Sequence, residues 1–198
     1  MTVFDISFWQ DDNVIDKLIR YGAEGVILRL GLTFGGKPEL DEKYAMFLSK
    51  ARAAGLPTGL YYYSKMQNKD MALAEAQFIN DKVYEYYGGD AEPELGVWFD
   101  MEDETTKIAE INRLTMFAIK TMRDWYFKKV GIYASYSYFH DYLDLAEIEQ
   151  RRIPVWVAQY SRQNDLLLEN PGLVHHGWQF TETYDGQTLD GNEWYVRP

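Results

Sequence analysis

The sequence predicts one α/β domain, a modified TIM-type barrel of eight strands and about five helices in the arrangement (β/α)5(β)3. Strand-like and helix-like segments alternate over the first two thirds of the chain, which is typical of α/β folds. The last third has further strand-like segments with little helix between them. The chain has 198 residues, 46% of them hydrophobic, which suffices for one domain with a sizeable core.

Five strand–helix units are predicted in the first two thirds. The strands are rich in β-branched and aromatic residues, whereas the helices repeat apolar residues at spacings of three and four. Predicted strands comprise residues 3–8, 25–31, 58–64, 95–102 and 131–135. Predicted helices comprise residues 13–21, 40–54, 68–87 and 106–128, the last capped by Thr106, with at most one or two short helices over 136–150. Gly22, Gly55 and Gly88 follow the first three helices as C-terminal stops.

The connections and the last third complete the prediction. Residues 31–38 form a glycine-rich segment without phosphate-loop spacing, so we expect a tight-turn or mobile loop there. Residues 154–159, 174–181 and 190–195 are predicted strands, and an irregular stretch around Pro171 separates the first two. A barrel whose last crossovers have lost their helices fits this order. Neither an internal repeat nor a linker is evident, so residues 1–198 are predicted to be a single domain.

The predicted fourth strand ends in two carboxylates. Val97, Trp98 and Phe99 form a short apolar run typical of a buried strand. Asp100 and Glu102 follow two residues apart, so both side chains point to one face if the strand continues through them. Two acids in such a position are costly for structure alone and are typical of acid/base or glycosyl-transfer chemistry.

In barrels of this type the functional side chains lie at the C-terminal ends of the strands. That rule selects Asp5, Arg29, Tyr61, Tyr63, Asp100, Glu102, Tyr133, Trp156, Gln159, Trp178, Gln179 and Asp190. Acids that converge on an aromatic-lined mouth indicate a sugar-binding cleft rather than a phosphate or nucleotide site. Among the aromatic residues, Trp156 and Trp178 are the expected stacking partners for sugar rings.

Charge and composition exclude several function classes. A net charge of −11 argues against nucleic acids and anionic membranes as partners, because both require clustered Lys and Arg. The chain has no cysteine and three histidines, so we expect neither a cofactor nor a metal, with Ca²⁺ or Mg²⁺ at the acid cluster as a minority alternative. No segment approaches the ~18 apolar residues of a membrane-spanning helix, and none has the pattern of a signal peptide.

With these residues in hand, the chain resembles the glycoside hydrolase family 25 lysozymes, N-acetylmuramidases that cut bacterial peptidoglycan and include many phage endolysins. The matching pieces are Asp5-Ile6-Ser7 with Gln10, Gly59 to Tyr63, Phe99-Asp100-Met101-Glu102, Gly131-Ile132-Tyr133, Val155 to Tyr160, Trp178-Gln179-Phe180 and Leu189 to Asn192. Each piece alone is unspecific, but their occurrence in this order over nearly the whole chain is specific for the family. The chain departs from many relatives at Arg29, where they carry a lysine-containing segment, and over residues 32–40.

The resemblance implies roles for the four acids. Glu102 would be the general acid that protonates the glycosidic oxygen. Asp100 would either attack the anomeric carbon or orient the substrate N-acetyl group so that the amide oxygen attacks, and both routes retain configuration. Asp5 and Asp190 would flank the site and hold the sugar. The spacing of Asp100 and Glu102 does not choose between retention and inversion, because side-chain torsions can bring the carboxyl groups to either separation.

The resemblance also implies a substrate, a location and an assembly. The substrate would be cell-wall peptidoglycan, cut at the β-1,4 bond between N-acetylmuramic acid and N-acetylglucosamine. A phage endolysin without a signal peptide would stay in the host cytoplasm until its release to the wall; otherwise the protein would leave by a signal-independent route. We expect a monomeric catalytic domain, no membrane insertion, and no wall-binding module within residues 1–198.

Two alternatives belong to other function classes. The first is a non-catalytic barrel that binds glycan in a phage particle or at a cell surface; the presence of both Asp100 and Glu102 favours the enzyme. The second is an amidase or peptidase acting on the peptide stems. Such enzymes usually need a metal held by His or Cys, or a Cys nucleophile, and the scarcity of these residues weighs against it.

Overall fold

The computed structural model describes residues 1–89 and 91–196. Its strands are β1 (Thr2–Ile6), β2 (Gly25–Phe34), β3 (Lys37–Leu40), β4 (Thr58–Tyr63), β5 (Val97–Asp100), β6 (Val130–Ser135), β7 (Pro154–Ala158), β8 (Val174–Thr181) and β9 (Asp190–Trp194). The α-helices in these residues are α1 (Val14–Arg20), α2 (Tyr44–Ala53), α3 (Lys69–Tyr87), α4 (Ile111–Trp125), α5 (Tyr136–Tyr142), α6 (Leu145–Gln150) and α7 (Asp165–Glu169). Short 3₁₀ turns occupy Glu104–Thr106 and Tyr184–Gly186.

Eight of the strands close into a barrel, which confirms the predicted fold class. The order around the sheet is β1-β9-β8-β7-β6-β5-β4-β2, and β1 pairs with β2 to complete the circle. The barrel strands β1, β2 and β4 to β8 run parallel to one another, whereas β9 runs antiparallel to both β1 and β8. Asp190 therefore starts its strand rather than ending it, and the antiparallel register still places it opposite Asp5.

The segment expected to be a loop after the second strand is instead a hairpin. β2 continues to Phe34 and pairs antiparallel with β3. The two turn residues, Gly35 and Gly36, have φ angles of +57° and +79°. A two-residue turn with positive φ at both positions matches the twist of the flanking strands, and glycine adopts it without steric cost. The hairpin thereby adds β3 to the sheet as a ninth strand next to β2.

The helices differ from the prediction in three places. The helix expected over residues 40–54 begins at Tyr44, because Leu40 belongs to β3. The helix expected from residue 106 begins at Ile111, because residues 104–106 form a separate 3₁₀ turn capped by Asp103, so Thr106 does not cap α4. The stretch expected to be irregular before β8 contains α7, a five-residue helix that Asn164 caps through the backbone N of Leu167. Helices this short have no periodic apolar pattern, so their caps are the main signal in the sequence.

Alternation along the strands divides the core into two layers. Outward side chains such as Phe4, Leu28 and Phe99 pack against the helices. Inward side chains fill the barrel with aromatic rings, chiefly Trp98, Trp156 and Trp194. The barrel interior is therefore filled by side chains. A site can form only above this packed layer, at the end of the barrel where the parallel strands finish. Within the described part of the chain, no helix has both the length and the apolarity to cross a membrane.

Candidate active site

A cavity of about 260 Å³ opens at the end of the barrel where the parallel strands finish. Its lining residues come from seven strands and from the loops after three of them. They are Asp5, Tyr61, Asp100, Glu102, Tyr133, Trp156, Tyr160, Gln179, Glu182 and Asp190. The structure thus brings together all four acids selected from the sequence, together with four of the predicted aromatic and amide side chains. Five carboxyl groups share this small volume, because Glu182 joins the predicted four.

Asp5 is held by two amide side chains. Its Oδ2 accepts hydrogen bonds from Nδ2 of Asn192 at 2.8 Å and from Nε2 of Gln179 at 3.0 Å. Burial, followed by the charge of Asp190, raises the pKa of Asp5 well above its usual value, and the two amide donors act against this rise. The side chain is 5% exposed, so its position is fixed by the protein.

The side-chain amides of Gln179 and Asn192 are themselves held by hydrogen bonds from other side chains. Oε1 of Gln179 accepts from the hydroxyls of Tyr133 and Tyr160, each at 2.9 Å. Oδ1 of Asn192 accepts from Nε1 of Trp156 at 2.7 Å. These bonds fix the orientation of both amides, so that each aims its NH₂ group at Asp5. Asp5 is the centre of a hydrogen-bond network that joins four strands, β1, β6, β8 and β9, and reaches Trp156 on β7.

Asp100 has the opposite surroundings. Its side chain is buried, with the residue only 2% exposed, yet within residues 1–89 and 91–196 no donor reaches its Oδ1. Burial, then the charges of Glu102 and Asp5, raise the pKa of Asp100 well above its usual value, while the cation of Arg29 acts in the other direction. A buried carboxyl oxygen without a protein partner is rare and costly. It is well suited to meet a donor carried by a ligand.

Glu102 lies at the mouth and keeps solvent-exposed surface. Desolvation by the surrounding protein, followed by the charge of the neighbouring Asp103, raises the pKa of Glu102. Asp190 is partly buried, and burial, then Glu182 and Glu102, raise the pKa of Asp190 to about 7. Several acids in the cavity therefore bind protons more tightly than ordinary carboxyl groups, which favours proton donation near neutral pH.

The tyrosines of the cavity stay protonated. Burial, with Asp5 and Asp100 as the next causes, raises the pKa of the Tyr61 phenol. Burial, with Glu102 and Asp100 next, does the same to the pKa of Tyr133. Both hydroxyls are therefore available as donors at any physiological pH.

Four predicted site residues do not line the cavity, namely Arg29, Tyr63, Gln159 and Trp178. Arg29 pairs with Asp41 through Nε and Nη2, both at 2.8 Å, and lies over the ring of Phe8. Tyr63 lies at the rim, where its hydroxyl donates to Asp103. The side chain of Gln159 binds Asp165 at the start of α7. These residues support the walls of the site rather than its interior.

Neither of the two predicted stacking tryptophans presents an exposed ring to the cavity. Trp178 is on the opposite face of β8 from Gln179, where it packs with Phe180 and donates to the carbonyl of Gln159. Trp156 reaches the cavity but is 1% exposed, because it is enclosed by other rings of the barrel interior. Trp156 forms part of the floor and orients Asn192.

The sequence reasoning missed several residues of the site. Tyr160 is 55% exposed at the cavity and Glu182 lies just beyond the end of β8. Tyr160 and Asn192 appeared only as parts of matched motifs, although Tyr160 lines the cavity and Asn192 donates to Asp5. Trp9, 76% exposed on the loop after β1, borders a neighbouring concavity of about 270 Å³. The polar residues directly after each strand were the available signal for Tyr160 and Glu182. Within the described residues, no three His, Asp or Glu side chains are arranged to hold a metal ion.

Comparison with known proteins gives one family and one fold. The sequence model described as Glycosyl hydrolases family 25 matches residues 4–188. Among solved structures, the modular autolysin LytC from Streptococcus pneumoniae, in complex with a synthetic peptidoglycan ligand, has a TM-score of 0.78 and 22% identity. That alignment covers 98% of this chain and 46% of LytC, so this chain spans about half the length of that relative. No curated protein sequence matches the chain.

In two further solved structures, the alignment covers a larger share of the matched chain. The spore cortex lytic enzyme SleM from Clostridium perfringens has a TM-score of 0.79 and 21% identity, over 100% of this chain and 67% of SleM. A family 25 glycosyl hydrolase from Bacillus anthracis has a TM-score of 0.80 and 16% identity, over 100% of this chain and 89% of that one. At such identities the likeness shows a shared fold.

Proposed function

We propose, because the chain belongs to glycosyl hydrolases family 25, that this glycoside hydrolase is a lysozyme that degrades bacterial peptidoglycan. The bond cut is the β-1,4 bond between N-acetylmuramic acid and N-acetylglucosamine, with net retention. The observation that carries the proposal is the pair at the end of β5, a proton-binding Glu102 at the mouth and a buried Asp100 whose Oδ1 has no partner in the described chain. Binding of a peptidoglycan ligand by LytC supports the substrate.

Glu102 is the general acid. At the mouth its carboxyl group can reach the oxygen between two bound sugars, and its raised pKa keeps the proton on the enzyme until it is needed. The proton passes to the leaving oxygen as the glycosidic bond breaks. In the second step Glu102, now ionised, takes a proton from the attacking water, which restores the acid and releases the new reducing end.

Between these two steps, Asp100 either forms a bond to the anomeric carbon or orients the substrate group that forms it. As a nucleophile it forms a covalent ester with the sugar; as an orienting group its Oδ1 accepts the N–H of the substrate acetamido group, whose oxygen then closes onto the anomeric carbon. A substrate with a trifluoroacetamido group in the cleaved subsite separates the two routes. The weaker amide oxygen slows the substrate-assisted route strongly and leaves direct attack by Asp100 nearly unchanged.

Asp5 and Asp190 hold the sugar and set the charge of the cavity. Asp5 is fixed by Asn192 and Gln179, so its remaining oxygen is a stationary acceptor for a sugar hydroxyl. Asp190, opposite Asp5 on β9, has a pKa of about 7 and is therefore partly protonated at neutral pH. A mixture of acceptor and donor carboxyls suits the hydroxyl-rich edge of a sugar ring.

Digestion of purified Gram-positive walls tests the bond specificity. We expect new reducing ends without new free amino groups, and borohydride reduction should convert the newly exposed N-acetylmuramic acid into its alditol. Appearance of free amino groups would favour the amidase or peptidase alternative, and reduced glucosamine would indicate cleavage of the other glycosidic bond. Wall binding without any release would favour the non-catalytic barrel.

A further inference from the structure

Asp103, directly after Glu102 in the chain, accepts four polar contacts from three residues. Its Oδ1 accepts from the backbone N of Thr105 at 2.9 Å and from the Thr105 hydroxyl at 2.6 Å. Its Oδ2 accepts from the Tyr63 hydroxyl at 3.2 Å and pairs with Nζ of Lys65 at 3.1 Å. A cap for a three-residue 3₁₀ turn needs only the first of these contacts, so the cation and the phenol call for another explanation.

Lys65 is held in place from behind. Its backbone N donates to Oε1 of Glu75 at 3.0 Å, and its Nζ lies over the ring of Tyr63. Glu75 is 1% exposed and also accepts from the hydroxyls of Ser64 and Thr33. This buried carboxyl fastens α3 to the ends of β2 and β4. The pairing of Lys65 with Asp103 thus has an anchored backbone on the lysine side, and Asp103 directly follows Glu102 in the chain.

We propose that Asp103 is a positioning residue that holds Glu102 protonated until proton transfer, and that Lys65 limits the strength of this effect. The inference rests on the proposed role of Glu102 as general acid. Asp103 itself touches no reacting atom. It acts because a fixed negative charge next to a second carboxyl makes ionisation of that carboxyl less favourable.

The electrostatics of the pair agree with this arrangement. Although desolvation opposes it, the bonds from Thr105 and Lys65 lower the pKa of Asp103 to about 2, so Asp103 is charged throughout the working range. The pKa of Glu102 rises, with desolvation as the larger cause and Asp103 as the next. Asp103 differs in this from Asp190, whose charge disappears on protonation near pH 7.

Other ionisable groups around Glu102 also contribute to the potential there. Carboxyl groups reach the mouth from β1, β5, the loop after β8 and β9, phenols from β4, β6 and the loop after β7, and cations from β2 and the loop after β4. They are Asp5, Asp100, Glu182, Asp190, Tyr61, Tyr63, Tyr133, Tyr160, Arg29 and Lys65. Exchanging Asp103 or Lys65 leaves all the others in place, so a change in proton affinity can be assigned to the exchanged charge.

The test compares Asp103→Asn, Lys65→Met and the double variant by the pH dependence of kcat/KM on solubilised peptidoglycan. Loss of the negative charge lowers the pKa of Glu102, so Asp103→Asn should move the upper limb of the profile to lower pH by on the order of 0.5 unit or more. Lys65→Met leaves Asp103 uncompensated and should move that limb to higher pH. The double variant should fall between them.

Opposite shifts cannot come from a purely structural role, since both single variants break the same ion pair. Asparagine retains the oxygen that accepts from Thr105, so the 3₁₀ turn is kept. Glu104→Gln is the matched control: it removes an exposed carboxyl one residue further on, paired with Lys107, and should leave the limb in place. Unchanged limbs, or limbs that move in one direction in both variants, would overturn the inference.

Carbon-13 titration of labelled glutamate side chains gives a readout that needs no activity. The Glu102 resonance, identified as the one missing in Glu102→Gln, should titrate at lower pH in Asp103→Asn and at higher pH in Lys65→Met. If Glu102→Gln still cuts walls, the proposed acid is wrong. If Glu102→Gln is inactive and the Glu102 titration ignores both exchanges, only the role of Asp103 is wrong.

Discussion

The β1–β9 side of the cavity and the β5 side present buried carboxyl groups in contrasting ways. On the first side, Asp5 accepts hydrogen bonds from Asn192 and Gln179, which are in turn held by other side chains. On the second side, Asp100 is equally buried, and no donor in the described chain reaches its Oδ1. One acid is completed by the protein and the other is left for a ligand.

The contrast separates binding from chemistry. A carboxyl group fixed by several bonds gains rigidity and loses freedom to form new bonds during a reaction. A carboxyl group without partners destabilises the folded protein and is free to interact with a substrate or an intermediate. We therefore expect substitutions on the β5 side to reduce activity more than stability, and substitutions on the β1–β9 side to do the reverse.

The largest expected effect is that of Asp100→Asn. Loss of the carboxylate should reduce kcat by about 10³-fold, within the range found for removed catalytic groups. Because burial makes the ionised acid unfavourable, the melting temperature at pH 7 should stay unchanged or rise. Kinetics on solubilised walls and thermal unfolding measure the two quantities. A stability loss comparable to that of an Asp5-network variant would remove the contrast between the two sides.

Asn192→Ala should have a mainly structural effect. It leaves Oδ2 of Asp5 with one donor fewer and Nε1 of Trp156 without an acceptor, so the free energy of unfolding should fall by roughly 2–4 kcal/mol. Activity should fall less than in Asp100→Asn. Denaturant unfolding measures the loss, and a double-mutant cycle with Trp156→Phe should show coupling between the two residues. Additive losses would mean that the network does not act as a unit.

The pH dependence of stability should reflect the β1–β9 side through Asp190. Its folded-state pKa, about 7, lies above the ordinary value of 3.8, so the folded chain binds more protons between these values. Stability should therefore fall as pH rises from about 4 to about 7 and then level off. Melting temperatures across this range should fall less in Asp190→Asn than in the wild type. Equal slopes in both proteins would show that other groups cause the dependence.

The smallest effect is expected for Tyr160→Phe. Gln179 keeps the hydroxyl of Tyr133 as a donor, and water can replace the exposed hydroxyl of Tyr160, so kcat/KM should change by about twofold. Tyr133→Phe should cost more, because that hydroxyl is buried and water does not replace it easily. Parallel kinetics and melting curves compare the two variants. A larger effect for Tyr160→Phe would indicate that its hydroxyl contacts the substrate.

The barrel and its acids could be predicted because they follow from short-range rules. A buried apolar strand that ends in Asp100-Met101-Glu102 indicates both a strand and a site, and closure of the sheet brings Asp5 and Asp190 to the same end. The family resemblance is confirmed by the match over residues 4–188. The roles of the individual residues remain predictions for the experiments above.

The orientation of Trp178 could not be predicted, because it depends on the register of β8. β8 advances two residues where its neighbour advances one at two places, from His175 to Gly177 beside β7 and from Gln179 to Thr181 beside β9. One such shift changes which side chains face inward. Likewise, α7 and β3 are too short for a periodic pattern, and Glu182 lies in a loop where spacing carries no information.

Release of reducing ends from purified walls by Glu102→Gln, beside the wild type and Glu104→Gln, tests the central claim most directly. Both variants exchange one carboxyl for an amide within a stretch of three residues, but only Glu102 lines the cavity. We predict that Glu102→Gln loses about 10³-fold or more in rate with an unchanged melting temperature, while Glu104→Gln matches the wild type. A folded Glu102→Gln that still releases reducing ends at the wild-type rate would contradict the account.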